Sequence, residues 1–180
     1  MNKKENLVWI DLEMTGLNVE TDVILEIATI ITDGNLTVLH KGPELVIHCS
    51  NDKLENMDPW VKNTHAKSGL TRAVQQSSVT VAQAEQETLA MIREFCEPKM
   101  VPLCGNSVWN DRIFLSKYMP QLLNFLHYRL IDVTSVKEIV QRWYPYDPNI
   151  NFLKKDMHRA MVDIEESIEE LRHYRAHFFR

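Results

Sequence analysis

The feature that most constrains this chain is a strand-length apolar run near its start that contains acidic residues. Residues 7–12 read LVWIDL, which is long and apolar enough for a strand buried on both faces. Asp11 and Glu13 interrupt the pattern, although carboxylates rarely enter a core without a positive partner. Because residues two apart on a strand point to the same side, both carboxylates can approach one point. Two hard oxygen ligands on one face suit Mg²⁺ or Mn²⁺. The alternative is a strand that leaves the sheet, with two solvated acids at its end.

Two further β-branched runs follow the first strand. They cover residues 23–32 (VILEIATIIT) and 37–48, and the Asp33-Gly34 pair between them favours a tight turn. The pattern therefore predicts an antiparallel meander. Glu26 lies inside the second run, where the simpler interpretation is a strand-end residue or one paired with a neighbouring base.

The rest of the chain alternates helical patterns with short strands, which predicts an α/β fold with a sheet flanked by helices. Asp58-Pro59 and the capping-box residue Thr80 are typical helix starts. Short strands are predicted over 101–104 and 129–133, and helices over 110–119, over 135–143 and from residue 160 onward.

Three later residues are candidates for the same site as the first two acids. Asp111 lies at the start of a helix that follows a short strand, where ligands of α/β sheets collect, although an acid that complements the helix dipole is an alternative. Asp163 lies on the flank of the apolar stripe of the last helix, so it can reach the rim of the core. His158 would point about 140° away from Asp163 in one regular helix, so it fits the preceding loop. From such a loop it could act as a general base, whereas the alternative is a surface histidine.

Composition limits the partners and the compartment that we expect. A chain of 180 residues with 44% hydrophobic residues predicts a single domain, residues 1–180, with residues 1–6 flexible. The net charge of −5 argues against a protein that grips long nucleic acid by many phosphate contacts. Cys49, Cys96 and Cys104 show no C-x-x-C spacing and are expected to be free thiols. Because residues 1–6 are polar and no apolar run is long enough for a bilayer, a cytoplasmic protein is expected.

Four motifs together resemble the DEDD exonucleases, in the variant that has histidine as its fifth catalytic residue. The motifs read W-I-D-L-E-M-T-G-L, C-G-N-S-x-x-x-D-R, H-Y-R-x-x-D-V and H-R-A-M-x-D-I-x-E-S, and the resemblance extends from residue 7 to about 178. It implies a ribonuclease-H-like mixed sheet flanked by helices. Within the family it is closest to the branch that degrades very short RNA, chiefly dinucleotides, from the 3′ end. It implies that two Mg²⁺ or Mn²⁺ ions are held by Asp11, Glu13, Asp111 and Asp163, and that His158 deprotonates the attacking water.

The same resemblance implies a substrate pocket. Leu17 matches a residue that wedges beside the bases. Ser107, Arg129 and Thr134 match positions that cap a 5′-phosphate, and His65 is expected near that phosphate. A closed cap would favour dinucleotides, since it leaves no exit for a longer strand.

The resemblance also implies a homodimer in which a tyrosine of one subunit enters the site of the other, and Tyr128 matches that tyrosine. Three residues depart from the family pattern. Trp109 and Asn110 stand where relatives usually have glycine and a longer amide, which affects the wall of the pocket. Asp156 adds a carboxylate just before His158, where it could raise the histidine pKa.

Two other functions stay open at this point. One is a relative of the same fold that acts on DNA in proofreading or that trims tRNA, and such relatives would lack the H-Y-R and G-N-S-x-x-x-D-R patterns. The other is a non-catalytic nucleic-acid-binding module in which the acids are structural. The presence of all five catalytic residue types in the family order argues against that module.

Overall fold

A five-stranded mixed sheet forms the centre of the molecule. The structure is a computed structural model that describes residues 2–153 and 158–179. The strands lie in the order β3-β2-β1-β4-β5. The first three pair antiparallel, as the predicted meander requires, and the last two run parallel to β1. Their bounds are β1 (Leu7–Met14), β2 (Ile24–Thr32), β3 (Val38–Val46), β4 (Leu103–Gly105) and β5 (Leu130–Asp132).

Eight helices are present in the described part of the chain, and most begin where local signals predict. Asp58 caps α2 by accepting a hydrogen bond from the Trp60 backbone N–H at 2.9 Å. Thr80 and Gln83 form the predicted capping box of α4. The short helices α1 and α3 were not predicted. The helices are α1 (Asn51–Glu55), α2 (Pro59–Lys67), α3 (Leu70–Gln76), α4 (Val81–Phe95), α5 (Trp109–Tyr118), α6 (Pro120–Phe125), α7 (Val133–Trp143) and α8 (Ala160–Phe178).

Strand β1 is central because its two faces contact different helix layers. Val8, Ile10 and Leu12 are buried in the cluster that contains residues of α4, α5 and α6. Trp9 is fully buried on the opposite face, among residues of α7 and α8, and its Nε1 donates to Thr32 Oγ1 at 3.0 Å. Side chains alternate along a strand, so the acids at positions 11 and 13 lie on the Trp9 side. The acidic end of β1 therefore faces the start of α8.

The cysteines and helices agree with two simpler expectations. Cys49, Cys96 and Cys104 are free thiols, as predicted, and the last two are buried. Within residues 2–153 and 158–179, none of the helices is long and apolar enough to cross a membrane.

Candidate active site

Three carboxylates from opposite ends of the chain meet beside the end of β1. Asp11 and Glu13 lie on β1, and Asp163 lies in the first turn of α8. Each offers one oxygen, and these three oxygens lie within 4.8 Å of one another. The Glu13 side chain is only 13% exposed, so a pair of freely solvated acids does not describe this end of the strand.

The fourth acid of the predicted set lies next to this cluster. Asp111 lies in the first turn of α5 and is 6% exposed. Its Oδ1 accepts a hydrogen bond from the Leu12 backbone N–H at 3.0 Å, which connects the start of α5 to β1. Asp111 is not among the three residues whose oxygens lie within 4.8 Å, but its charge acts directly on Asp11.

Burial and mutual repulsion keep these acids from ionising easily. Burial, followed by the charge of Asp111, holds the pKa of Asp11 well above its usual range. Burial and the charge of Asp163 raise the pKa of Glu13 to about 8. Burial raises the pKa of Asp111 to about 7, although the hydrogen bond from Leu12 opposes the shift. Perturbed acids that converge in one place are typical of functional sites.

The donor set fits a hard divalent cation. Carboxylate oxygens are the preferred ligands of Mg²⁺ and Mn²⁺, and a bound cation would remove the repulsion that raises the pKa of Glu13. Arg159 is near enough to lower that pKa slightly, but its guanidinium is already bound to Glu26 and Glu44.

His158 lies on the loop just before α8, where the spacing argument places it. Its backbone φ is +49°, a left-handed conformation that is uncommon outside glycine and is often found at functional sites. The half-buried ring meets the edge of the Trp60 ring at a centroid distance of 5.7 Å. Its charge also acts on His65, so both histidines belong to the neighbourhood of the acids.

The loop that carries His158 is bound to the sheet through the next residue. Arg159 donates from Nη2 to Glu26 Oε1 at 2.7 Å, and its Nε lies 3.2 Å from both Glu26 oxygens. The same Nη2 lies 2.8 Å from Glu44 Oε1 on β3. The pairing of Glu26 with a base, one of the two interpretations of its position in β2, is confirmed.

His65 lies on α2 and is buried against β1. Its Nε2 is 2.8 Å from the Met14 carbonyl oxygen, so Nε2 carries the proton. Nδ1 lies 3.8 Å from Glu13 Oε2 and has no hydrogen-bond partner among the described residues. Burial lowers the pKa of the ring, so His65 is neutral at pH 7. These contacts place it at the acidic cluster, and its contact with a phosphate stays a prediction.

Two of the three predicted cap residues touch each other at the carboxyl ends of β4 and β5. Ser107 Oγ lies 3.1 Å from Thr134 Oγ1, and the Ser107 backbone N–H donates to Thr134 Oγ1 and Asp132 Oδ1, each at 2.9 Å. Ser107 has a φ of +48°. Ligands of α/β sheets gather at this edge. The Ser107 N–H is held by two neighbours and its hydroxyl contacts one of them, so both groups of this strained residue are already bound and fixed in place.

The third cap residue lies elsewhere. Arg129 precedes β5, whereas Thr134 follows it, so the two lie at opposite ends of that strand. The Arg129 guanidinium carbon lies 5.5 Å from the centre of the Tyr128 ring, and its Nε donates to the Tyr128 hydroxyl at 3.2 Å. Tyr128 is 68% exposed.

Leu17 is 71% exposed on the turn that follows β1. Asp22 holds this turn by accepting hydrogen bonds from Thr15 Oγ1 and from the Asn18 backbone N–H, both at 2.9 Å. A Cβ on Gly16 would lie 2.5 Å from Asp22 Oδ2, so glycine alone fits there without movement. Leu17 is therefore presented by a well-defined turn, and its contact with the bases stays a prediction.

Sequence reasoning missed a buried polar network behind the Ser107–Thr134 pair. Asn106 accepts from Thr134 Oγ1 at 3.1 Å and donates from Nδ2 to Ser167 Oγ at 2.7 Å and to Glu170 Oε2 at 3.1 Å. Ser167 in turn donates to the Asp163 carbonyl oxygen at 2.7 Å. The network joins the edge of the sheet to α8. Its only sequence signal is the asparagine inside the C-G-N-S motif.

Two of the departures from the family pattern, Trp109 and Asn110, lie at the start of α5. Trp109 is 55% exposed at the start of α5. The Asn110 backbone N–H donates to the Ser107 carbonyl oxygen at 3.0 Å, so this residue supports the turn that carries Ser107. Asp156 lies outside the described residues.

Comparison with protein families and curated sequences gives consistent matches. The family described as "Exonuclease" (RNase_T) matches residues 8–171. The human protein named "Oligoribonuclease, mitochondrial" is 49% identical over 176 residues, which cover 98% of this chain and 74% of that protein. The oligoribonuclease of Marinobacter nauticus is also 49% identical, over 180 residues that cover 100% of this chain and 99% of that one.

Solved structures with the same fold are exonucleases. The zinc-bound E. coli ExoI–ssDNA complex matches 98% of this chain with a TM-score of 0.74 at 14% identity, and exonuclease I of Methylocaldum szegediense matches 96% with 0.70 at 16%. This chain spans about two fifths of each of these proteins, 41% in both cases. At this identity the likeness concerns the fold, and it confirms the predicted ribonuclease-H-like sheet.

Proposed function

Because this chain belongs to the oligoribonucleases of the exonuclease family, we propose that it hydrolyses very short RNA from the 3′ end and that dinucleotides are its chief substrates. The observation that carries the proposal is the convergence of Asp11, Glu13 and Asp163 within 4.8 Å. Together with Asp111 and His158, these residues supply each group that metal-assisted hydrolysis of a phosphodiester needs.

The four acids would hold two divalent cations, Mg²⁺ or Mn²⁺. When bound, such ions activate water and stabilise the leaving 3′-oxygen. Asp11, Glu13 and Asp163 supply the close oxygens, and Asp111 supports them from the start of α5. Because burial raises the pKa values of Glu13 and Asp111, protons and cations compete for the same oxygens.

His158 would take the proton of the attacking water. His158 lies on the loop before α8, which carries Asp163 in its first turn, and Trp60 of α2 limits the movement of the His158 ring. Histidine is the side chain that most often serves as a general base in catalysis. The neutral His65 ring lies on the Glu13 side of the cluster, and it adds no positive charge there.

Recognition of the short substrate would use the pocket residues. Ser107 and Thr134 present two hydroxyls at the sheet edge, where they would bind a 5′-phosphate. Arg129 lies at the other end of β5 beside Tyr128, so it would complete the phosphate cap of a second copy together with that tyrosine. Leu17 would contact the bases from the turn after β1. A 5′-phosphorylated end offers the guanidinium a terminal phosphate that a 5′-hydroxyl end lacks, so the cap would select short 5′-phosphorylated chains.

The protein would act as a homodimer in which Tyr128 enters the site of the partner. Tyr128 lies at the end of β5 that is remote from its own Ser107–Thr134 pair, and it is largely exposed. Trp109 adds a second exposed aromatic side chain. Exposed aromatic side chains are typical of interfaces and fit burial by a second copy. We further propose that residues 1–180 act as one domain in the cytoplasm.

The experiment that tests this function is hydrolysis of a 5′-labelled ladder that runs from dinucleotide to decamer, as RNA and as DNA, with and without Mg²⁺. We expect metal-dependent cleavage of RNA that is fastest for the dinucleotide. Faster cleavage of the DNA ladder would favour the DNA exonuclease instead. Binding of both ladders without cleavage would favour a non-catalytic module.

A further inference from the structure

We propose that Glu26 is a positioning residue for this site. Its buried carboxylate binds the Arg159 guanidinium and the Ala160 backbone N–H. These contacts hold the segment that carries His158 and Asp163. The inference rests on the proposed function, since it concerns the geometry of the same site. Glu26 itself makes no contact with substrate in this proposal and acts through its neighbours.

The first half of the anchor is the ion pair with Arg159. Glu26 is 0% exposed in the middle of the sheet. The Arg159 guanidinium meets both of its oxygens, with the shortest contact at 2.7 Å. A planar fork that binds two oxygens fixes direction as well as distance. Because His158 directly precedes Arg159, a fixed Arg159 also fixes the backbone from which the His158 side chain projects.

The second half is the cap of α8. The Ala160 backbone N–H, the first in the helix, donates to Glu26 Oε2 at 3.0 Å. Arg159, which stands at the N-cap position, provides no side-chain cap of its own. A carboxylate at a helix N-terminus satisfies a free N–H and complements the helix dipole. The Asp163 N–H donates to the Arg159 carbonyl oxygen at 3.0 Å, so the acid lies in the turn that Glu26 holds.

The anchor and the acid cluster share one rigid base. Glu26 is the cross-strand partner of Glu13 in the antiparallel pair of β1 and β2. Side chains of directly opposite residues lie on the same face of a sheet. Both oxygens of Glu26 are occupied, one by Arg159 and the other by Arg159 and Ala160. Movement at Glu26 would therefore shift His158 and Asp163 relative to Glu13.

A matched control separates positioning from general stability. Glu85 on α4 is also a buried carboxylate, 6% exposed, that caps a helix from another element. It accepts from the Gln121 N–H at 2.7 Å and from the Leu122 N–H at 3.1 Å, at the start of α6. Glu85→Gln therefore removes the same kind of group in a place that does not touch the site.

The test compares Glu26→Gln with Glu85→Gln in the full chain, on a 5′-phosphorylated RNA dinucleotide with Mg²⁺. We expect both to lower the thermal midpoint, and only Glu26→Gln to lower kcat, by roughly 10–100-fold with an unchanged KM, as for other residues that orient ligands from outside. An unchanged kcat in Glu26→Gln, or an equal loss in Glu85→Gln, would overturn the proposal.

A spectroscopic measurement separates this proposal from the proposed function. In NMR spectra of protein labelled at histidine, recorded without metal or substrate, the His158 ring signal should be the same in the parent and in Glu85→Gln. It should move toward the random-coil position in Glu26→Gln. If the parent hydrolyses no RNA, the proposed function fails, but this signal still decides whether Glu26 fixes His158. An unmoved signal in Glu26→Gln contradicts the anchor.

A second pair of variants covers the case in which Glu26→Gln does not fold. Arg159→Lys keeps the positive charge but loses the planar fork. Arg159→Lys should lower kcat, and it should move the His158 signal toward the random-coil position, as Glu26→Gln does. Glu44→Gln removes only the outer contact of the same guanidinium, 2.8 Å away, and should leave both unchanged. If kcat and the His158 signal of Arg159→Lys equal those of the parent, the positioning role is refuted.

Discussion

The two halves of the site are constructed differently. On the catalytic side, Asp11 and Asp163 are brought together by β1 and α8, and neighbouring backbone and side-chain groups hold them. On the recognition side, Leu17 and Tyr128 are 71% and 68% exposed, on a turn and beside an edge strand. The residues proposed for catalysis are therefore all supplied by one chain, whereas those proposed for recognition present surfaces that substrate or a second copy would cover.

The difference shows where free energy is stored. Buried acids with raised pKa values are unfavourable by themselves, so the rest of the fold must hold them in place. The exposed recognition residues carry no such strain, but they lose conformational freedom when a ligand orders them. Substitutions on the catalytic side should therefore lower kcat, and substitutions on the recognition side should change which substrate lengths are preferred.

The largest effect is expected from loss of the metal. Excess chelator should abolish hydrolysis of the RNA dinucleotide, because the proposed reaction needs bound cations to activate water and to stabilise the leaving oxygen. Asp163→Asn should lower Mn²⁺ affinity and kcat together, as measured by calorimetry and by steady-state kinetics. The control is Asp147→Asn, because the Asp147 side chain caps a short 3-10 helix away from the acids. This variant should change neither Mn²⁺ affinity nor kcat. Full activity in chelator would refute the metal assignment.

Removal of the general base should have the next largest effect. His158→Ala should lose about 10²–10⁴-fold in kcat and should still bind Mn²⁺, because the histidine is not one of the converging acids. Higher pH should partly restore the rate, since hydroxide can replace the base. His177→Ala, at the exposed end of α8, should behave as the parent. If His158→Ala hydrolyses the dinucleotide as fast as the parent at neutral pH, His158 is a surface histidine and not the general base.

The shared pocket can be broken and rebuilt by mixing two defective variants. Tyr128→Ala and His158→Ala should each be weakly active alone. In mixed dimers, one of the two sites combines an intact His158 with a partner's intact Tyr128, so about a quarter of parental activity should return. The measurement is hydrolysis after subunit exchange. Mixtures that give only the sum of the two variants, or a fully active monomer, would exclude a pocket formed across an interface.

Loss of the guanidinium should change selection more than rate. Arg129→Ala should reduce the preference for the 5′-phosphorylated dinucleotide over a heptamer by about tenfold, the worth of one charge-assisted hydrogen bond, about 1.5 kcal/mol. The ratio of kcat/KM values for the two lengths measures it. Arg142→Ala, an exposed arginine on α7 that pairs with Glu138, is the control. Equal kcat/KM values for the dinucleotide and the heptamer in the parent would refute the cap.

The smallest effect concerns stability against pH without metal. Folding raises the pKa of Glu13 from 4.5 to about 8, so the folded state binds its proton more tightly. The free energy of unfolding should therefore fall as pH rises between these values. Glu13→Gln should remove this part of the slope in denaturant titrations, and saturating Mn²⁺ should reduce it in the parent. Asp33, whose pKa is lowered by the Thr37 N–H, gives a slope of opposite sign at lower pH, and Asp33→Asn is the control. A slope that Glu13→Gln leaves unchanged would contradict the prediction.

Local patterns predicted the elements and the order of the site residues. The apolar run of β1, the caps at Asp58 and Thr80 and the loop position of His158 each depend on a few neighbouring residues, and the structure agrees with them. The helix after β5 begins two residues earlier than predicted, because Asp132 caps it by accepting from the Thr134 N–H.

What could not be predicted depends on distant residues or weak signals. Helices α1 and α3 have five and seven residues and bury only one or two side chains each, so they show little periodicity. The capping of α8 by Glu26 and the network around Asn106 join residues far apart in the chain. The separation of Arg129 from Ser107 follows from the direction of β5, which a motif does not reveal.

The contact between Glu26 and Arg159 joins residues 133 positions apart. On the ribosome, Asp11 and Glu13 are made before the other site residues. The strand that carries them, β1, can pair with β2 while later parts of the chain are still being made. His158 and Asp163 are added only after all five strands have been made. A nascent chain therefore cannot assemble the proposed site on the RNA around it until α8 has been synthesised and docks on the sheet.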